Sequence, residues 1–113
     1  MYKYYFRPEY GSKNLLIEFF NNNKNDNFIP DLLNTIVELE PKITDITDLW
    51  MNAEIIINIE SNLGEFFLSK DIWGLAFIIA ENNQKCLSRI NSILDNSKKF
   101  NKVEVNFEDY KLK

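Results

Sequence analysis

At 113 residues, with 45% hydrophobic and 14% aromatic content, the chain fits one folded domain with a real core and is not a disordered linker. Its single cysteine, Cys86, excludes an intrachain disulfide, and the lack of any histidine excludes histidine-based catalysis and histidine metal ligation. The net charge is −4, concentrated in residues 37–65, where Glu38, Glu40, Asp45, Asp48, Glu54, Glu60 and Glu65 face Lys42 alone. Such a field repels phosphate backbones and attracts basic protein surfaces, so nucleic acid is not expected as a partner.

Residues 1–7 alternate as a strand, with Tyr2, Tyr4 and Phe6 on one face, and Pro8 to Gly11 end it. Ser12 is a cap residue for a predicted short helix with Leu15, Leu16, Phe19 and Phe20 as its apolar positions. Residues 21–27 form a polar, asparagine-rich segment, expected to be a mobile loop within the domain. A second helix is predicted from Pro30, with Asp31 near its positive end; Leu32, Leu33, Ile36 and Val37 share a face, and Pro41 stops it. Residues 42–52 fit a loop, a single turn or an edge strand equally well.

From Ala53 the period becomes two, with Ala53, Ile55, Ile57 and Ile59 opposite Glu54, Ile56, Asn58 and Glu60. Ser61-Asn62-Leu63-Gly64 reads as a hairpin loop, 65–69 as the return strand and Lys70-Asp71 as a second tight turn. Ile72 to Ala80 reads as a central strand whose bulky face, Trp73, Leu75, Phe77 and Ile79, is expected to meet the helices. Asn82 or Asn83 caps a third helix striped by Cys86, Leu87, Ile90, Ile93 and Leu94. A final strand is expected with Val103, Val105 and Phe107 inward, followed by a charged tail over 109–113. These elements predict one α+β domain over 1–113, in the order β-α-α-β-β-β-α-β. A mixed, mainly antiparallel sheet of about five strands carries helices on one face.

The longest apolar run, Ile72 to Ala80, is far short of the roughly 20 residues that cross a bilayer, and residues 1–9 lack a signal-peptide core. The cytoplasm is the expected compartment, with no membrane partner. Gly11, Gly64 and Gly74 are isolated, so no phosphate-binding loop is present. Cys86 on an apolar stripe reads as a buried, inert thiol. Asp45 and Asp48 have one-face helical spacing, but further oxygen ligands for a metal are not evident. Glu54 and Glu60 share a strand face about 20 Å apart, too far for a glycosidase pair. No cofactor, metal or catalytic activity is expected. Trp50, beside Asp48, suits either the core or an interface anchor, whereas Trp73 is expected in the core.

From Asp48 to Tyr110 the chain resembles the cytoplasmic immunity proteins that accompany bacterial polymorphic and contact-dependent growth inhibition toxins. The likeness is carried by Asp48-Leu49-Trp50, Gly64-Glu65-Phe66, Asp71-Ile72-Trp73-Gly74, Ala80-Glu81-Asn82-Asn83-Gln84, and Phe100 with Val103-Glu104-Val105. It implies a non-enzymatic protein that neutralises the C-terminal domain of a cognate toxin, often a nuclease, by covering its active site or a nearby surface. It assigns no binding residues. The charge pattern independently nominates Glu38, Glu40, Asp45, Asp48, Glu54 and Glu60 as contacts to a basic partner, with Trp50 as anchor. An acidic regulatory or adaptor module unrelated to toxins is the alternative.

Overall fold

Alternation in Tyr2–Pro8 produces strand β1 as expected, and its aromatic residues determine what pairs with it. The computed structural model describes residues 2–20, 27–73 and 75–111. Leu15–Phe20, predicted helical, is strand β2, antiparallel to β1 with Tyr4 opposite Phe19 and Tyr5 opposite Glu18. A six-residue segment is too short to hold a helix by itself, and cross-strand aromatic packing offers more. The Tyr5 and Phe20 rings stack at 4.4 Å, and Tyr4 lies 6.0 Å from Phe19.

Helix α1, Phe28–Thr35, begins two residues before Pro30 and ends before Ile36. A tighter 3-10 turn, Val37–Leu39, follows and changes the buried face: Leu39 goes inside while Val37 is exposed, contrary to the predicted stripe. The ambiguous segment resolves into strand β3, Lys42–Leu49, and a 3-10 turn, Trp50–Asn52. Strands β4, Glu54–Ser61, and β5, Gly64–Asp71, form the predicted hairpin. Strand β6 covers only Leu75–Ile79. Helix α2, Gln84–Asp95, buries Cys86, Leu87, Ile90 and Leu94, as its stripe predicts. The last strand, β7, is Phe100–Lys102, earlier and shorter than expected.

Seven strands form one mixed sheet in the order β3-β4-β5-β6-β2-β1-β7. Among the described strands only the β1–β7 pair is parallel, α2 supplying the crossover into it. The α+β class is therefore as expected, with more strands and a β-β-α-β-β-β-β-α-β order.

Both helices contribute to one core with Tyr2, Tyr4, Ile17, Phe19, Ile57, Ile59, Phe66, Leu68, Ala76, Ile78, Ala80 and Phe100. The expected orientation of β6 is thus reversed. Ala76 and Ile78 face the helices, whereas Leu75, Phe77 and Ile79 lie half-buried on the opposite face. Register explains this. Ile78 is opposite Ile17 and Leu68, and Ala76 is opposite Phe19, so side-chain parity is shared across three strands. Buried tyrosines then fasten helices to sheet. Tyr2 donates its hydroxyl to Asp31 at 2.7 Å, and Tyr4 donates to Asn91 Oδ1 at 3.0 Å.

The second sheet face carries no described α-helix. One corner is closed by a 3-10 turn, Phe107–Tyr110, where the end of an inward strand and the start of a charged tail are predicted. Arg7 is buried in that corner. It donates to Glu18 Oε1 at 2.7 Å, and its guanidinium lies 4.8 Å from the Tyr110 ring centre and 5.4 Å from that of Tyr10. The polar segment 21–26 and residues 112–113 lie outside the described residues.

Candidate functional site

Two Asp-aliphatic-Trp triplets, Asp48-Leu49-Trp50 and Asp71-Ile72-Trp73, each end a strand, and the fold brings them to the same end of the sheet. The link is the register: Leu49 is opposite Glu54, and Glu54 is opposite Asp71. The backbone N–H of Ile72 also donates to Ala53 O at 3.3 Å, tying the two loops together. Ala53 takes a left-handed φ of 53°, uncommon for a residue with a Cβ and costing on the order of 1 kcal/mol. That turn holds Trp50–Asn52 outside the sheet.

Four large apolar side chains are consequently left in solvent here. Trp50 is 77% exposed, Met51 81%, Ile72 69% and Trp73 71%. Scattered apolar residues are ordinary on a protein surface; two tryptophans this exposed, on loops joined by a backbone hydrogen bond, are not. Trp73, expected in the core, is displaced because β5 runs to Asp71 and the turn begins after it. The Asp71 carboxylate accepts the backbone N–H groups of Trp73 at 2.9 Å and Leu75 at 3.0 Å, which fixes that turn.

Two shallow depressions share the Glu54–Asp71 pair. One, of about 650 Å³, is lined by Asp48, Trp50, Ala53, Glu54, Ile55, Lys70, Asp71 and Ile72. The other, of about 360 Å³, opens on the uncovered sheet face between Trp73, Leu75, Phe77, Ile79, Leu16, Ser69 and Asn52. Glu54 is held in place by the Ser69 hydroxyl, which donates to Oε1 at 2.6 Å. The site is an apolar pair of loops with Asp48, Glu54 and Asp71 around it and Lys70 as the nearby cation. Among the described residues, no group of three or more acids and cysteines is placed to hold a metal ion.

The structure brings Asp48, Trp50 and Glu54 together from the residues nominated by charge, and separates the rest. Glu60 lies at the opposite end of β4, beside Lys42. Glu38 and Glu40 occupy the turn at that far end, where Asn62 donates to Glu38 O at 3.0 Å. The Glu38 carboxylate is ion-paired with Arg89 at 2.6 Å. Asp45 and Asp48, given helical spacing in the sequence reading, stand on opposite faces of a strand, aligned with Asn58 and Ile55. The acids therefore do not make one patch; they run along the β3–β4 ribbon for roughly 20 Å on both of its faces.

Sequence reasoning nominates none of Met51, Ile72 and Trp73 as contacts and places Trp73 in the core. The repeated Asp-aliphatic-Trp triplet is the signal that identifies them, because an aspartate ending a strand leaves the following aromatic in a turn. Cys86 is fully buried, 3.6 Å from the Ser61 hydroxyl, and burial pushes its thiol pKa up. No described helix is long and apolar enough to cross a membrane. Comparison with known proteins returns no matching family model, no matching curated protein and no matching solved structure.

Proposed function

We propose that this domain binds another protein through the Trp50–Trp73 end of its sheet, and that the partner is a toxin domain with a basic surface, which it neutralises without catalysis. The observation that carries the binding reading is the exposure of Trp50 and Trp73 on two loops tied together beside Asp48, Glu54 and Asp71. Tryptophans concentrate the energy of protein interfaces when a partner buries them, and a carboxylate rim favours lysine and arginine around that centre. The toxin reading adds the resemblance to cytoplasmic immunity proteins and agrees with the excess of acid over base in residues 37–65.

The test is protection. Cells producing the C-terminal toxin domain encoded beside this chain's gene are expected to survive when the chain is co-produced, and the two proteins to co-purify. Trp50→Ala and Trp73→Ala together are expected to weaken the complex by at least 2 kcal/mol and abolish protection. A complex with some other protein, without protection, would select the adaptor reading. Unchanged affinity in the double variant would remove the tryptophan end from the interface.

A further inference from the structure

Strand β3 is an edge of the sheet, and seven of its eight residues, Lys42 to Asp48, are exposed. Its inner side pairs with β4, and no described strand pairs with its outer side. The opposite edge differs. Strand β7 has three residues, and the chain beyond it is tied down where the Val103 N–H donates to Tyr4 O. A strand of eight residues with unpaired backbone groups is a template for another extended chain.

We propose that the outer edge of β3 accepts an extended segment of a cationic protein as an added strand. The inference rests on the reading of the domain as a binder of a basic protein, and it assigns the backbone contribution to that interface.

Side-chain placement states what the added strand must carry. Ile43 and Ile46, 39% and 58% exposed, stand on the helix side of the sheet beyond the reach of the helices. Asp48 follows them on that side, while Asp45 and Thr47 stand on the other. A complementary strand therefore has β-branched or apolar residues beside Ile43 and Ile46, and lysine or arginine beside Asp45 and Asp48. The irregular register between Ile43 and Asp45 is a bulge, and with the aspartates it blunts the edge against uncharged strands. The same aspartates attract a cationic one. A second copy of this chain is a poor occupant, because self-pairing gathers Asp45 and Asp48 of both copies along one seam.

The probe is an end-capped peptide of about ten residues alternating lysine and valine, a typical strand length, with a glutamate-valine peptide as control. Both are titrated into the isotope-labelled full chain while backbone amide exchange is followed. The lysine peptide is expected to slow exchange of outward-facing amides in Ile43–Leu49 by roughly tenfold, the glutamate peptide to leave it unchanged. In the Asp45→Lys/Asp48→Lys double variant, exposed positions whose replacement leaves the core intact, the preference is expected to invert. Unchanged β3 exchange at saturating lysine peptide would overturn the proposal. Perturbation confined to Trp50, Met51 and Trp73 would overturn strand addition while leaving the protein-binding reading intact. Equal protection by both peptides, or β3-mediated dimerisation of the chain alone, would overturn the cationic occupant.

Discussion

The Asn83 side chain crosses from the start of α2 to the β4–β5 hairpin at the point where Gly64 leaves room for it. Its Nδ2 donates to Leu63 O at 2.9 Å and to Glu65 O at 3.3 Å, and a Cβ on Gly64 would lie 2.6 Å from that nitrogen. Asn83 occupies the predicted cap position yet makes no side-chain cap bond to α2. It fastens the hairpin instead.

Gly64→Ala is therefore expected to destabilise the fold twice over. Gly64 sits at φ 107°, where a side chain is strained by about 1–3 kcal/mol. The new methyl also displaces Asn83 and breaks its hydrogen bonds, at about 1 kcal/mol. Urea unfolding of the single and double variants measures the coupling. Gly64→Ala is expected to cost less in an Asn83→Ala background, and additive losses would show that the two residues act independently.

Trp50 and Trp73 are expected to contribute little to stability because neither is packed. Each Trp→Ala change is expected to alter the unfolding free energy by no more than about 0.5 kcal/mol. In the native protein both indoles are expected to be quenched by acrylamide nearly as readily as in urea. Strong native-state protection of either would place it in the core.

Tyr2 sets an alkaline limit. Burial, then the Asp31 hydrogen bond and charge, push its phenol from the ordinary 10.0 to about 12. The folded protein thus holds this proton more tightly than the unfolded chain. The stabilisation is complete below pH 10 and is lost as pH rises from 10 towards 12. Tyr4 is raised as well, by burial and then by Asp95 and Glu104, so the loss is shared. Stability measured across this window is expected to fall less steeply in Tyr2→Phe.

Arg7→Ala is expected to cost about 3 kcal/mol, since it leaves Glu18 unpaired and opens the space between Tyr10 and Tyr110. Arg7→Lys is expected to recover little of this. An ammonium cannot both reach Glu18 and lie flat against the rings as a guanidinium does. Thermal melts of the variants provide the comparison, and a lysine variant as stable as the parent would make the stacking unimportant.

Several elements were legible in the residues alone. The stripe Cys86, Leu87, Ile90, Leu94 marks α2, alternation marks β1 and β4, and Ser61 to Gly64 marks the hairpin, because each pattern is local and repeats at its element's own period. Leu15–Phe20 was misread because a short apolar run fits either period, and pairing with β1 decides between them. The exposure of Trp73 was hidden for a related reason: the strand read from Ile72 begins only at Leu75, which leaves Trp73 in the turn before it. Of the nominated contacts, Trp50 and its neighbours Asp48 and Glu54 fall together, while Glu38 was removed by Arg89, 51 positions away.

By itself the sequence determined, through local periodicity and residue order, that this is a folded α+β domain, without histidine chemistry and with acid crowded into its middle third. Tertiary structure alone decided that two tryptophans are exposed at one end of the sheet, that β3 lies at its edge, and that Glu38 is ion-paired with Arg89. The reason is one of range. Periodicity and charge density are carried by neighbouring residues, whereas register, edges and ion pairs are settled between segments that meet only when the sheet closes.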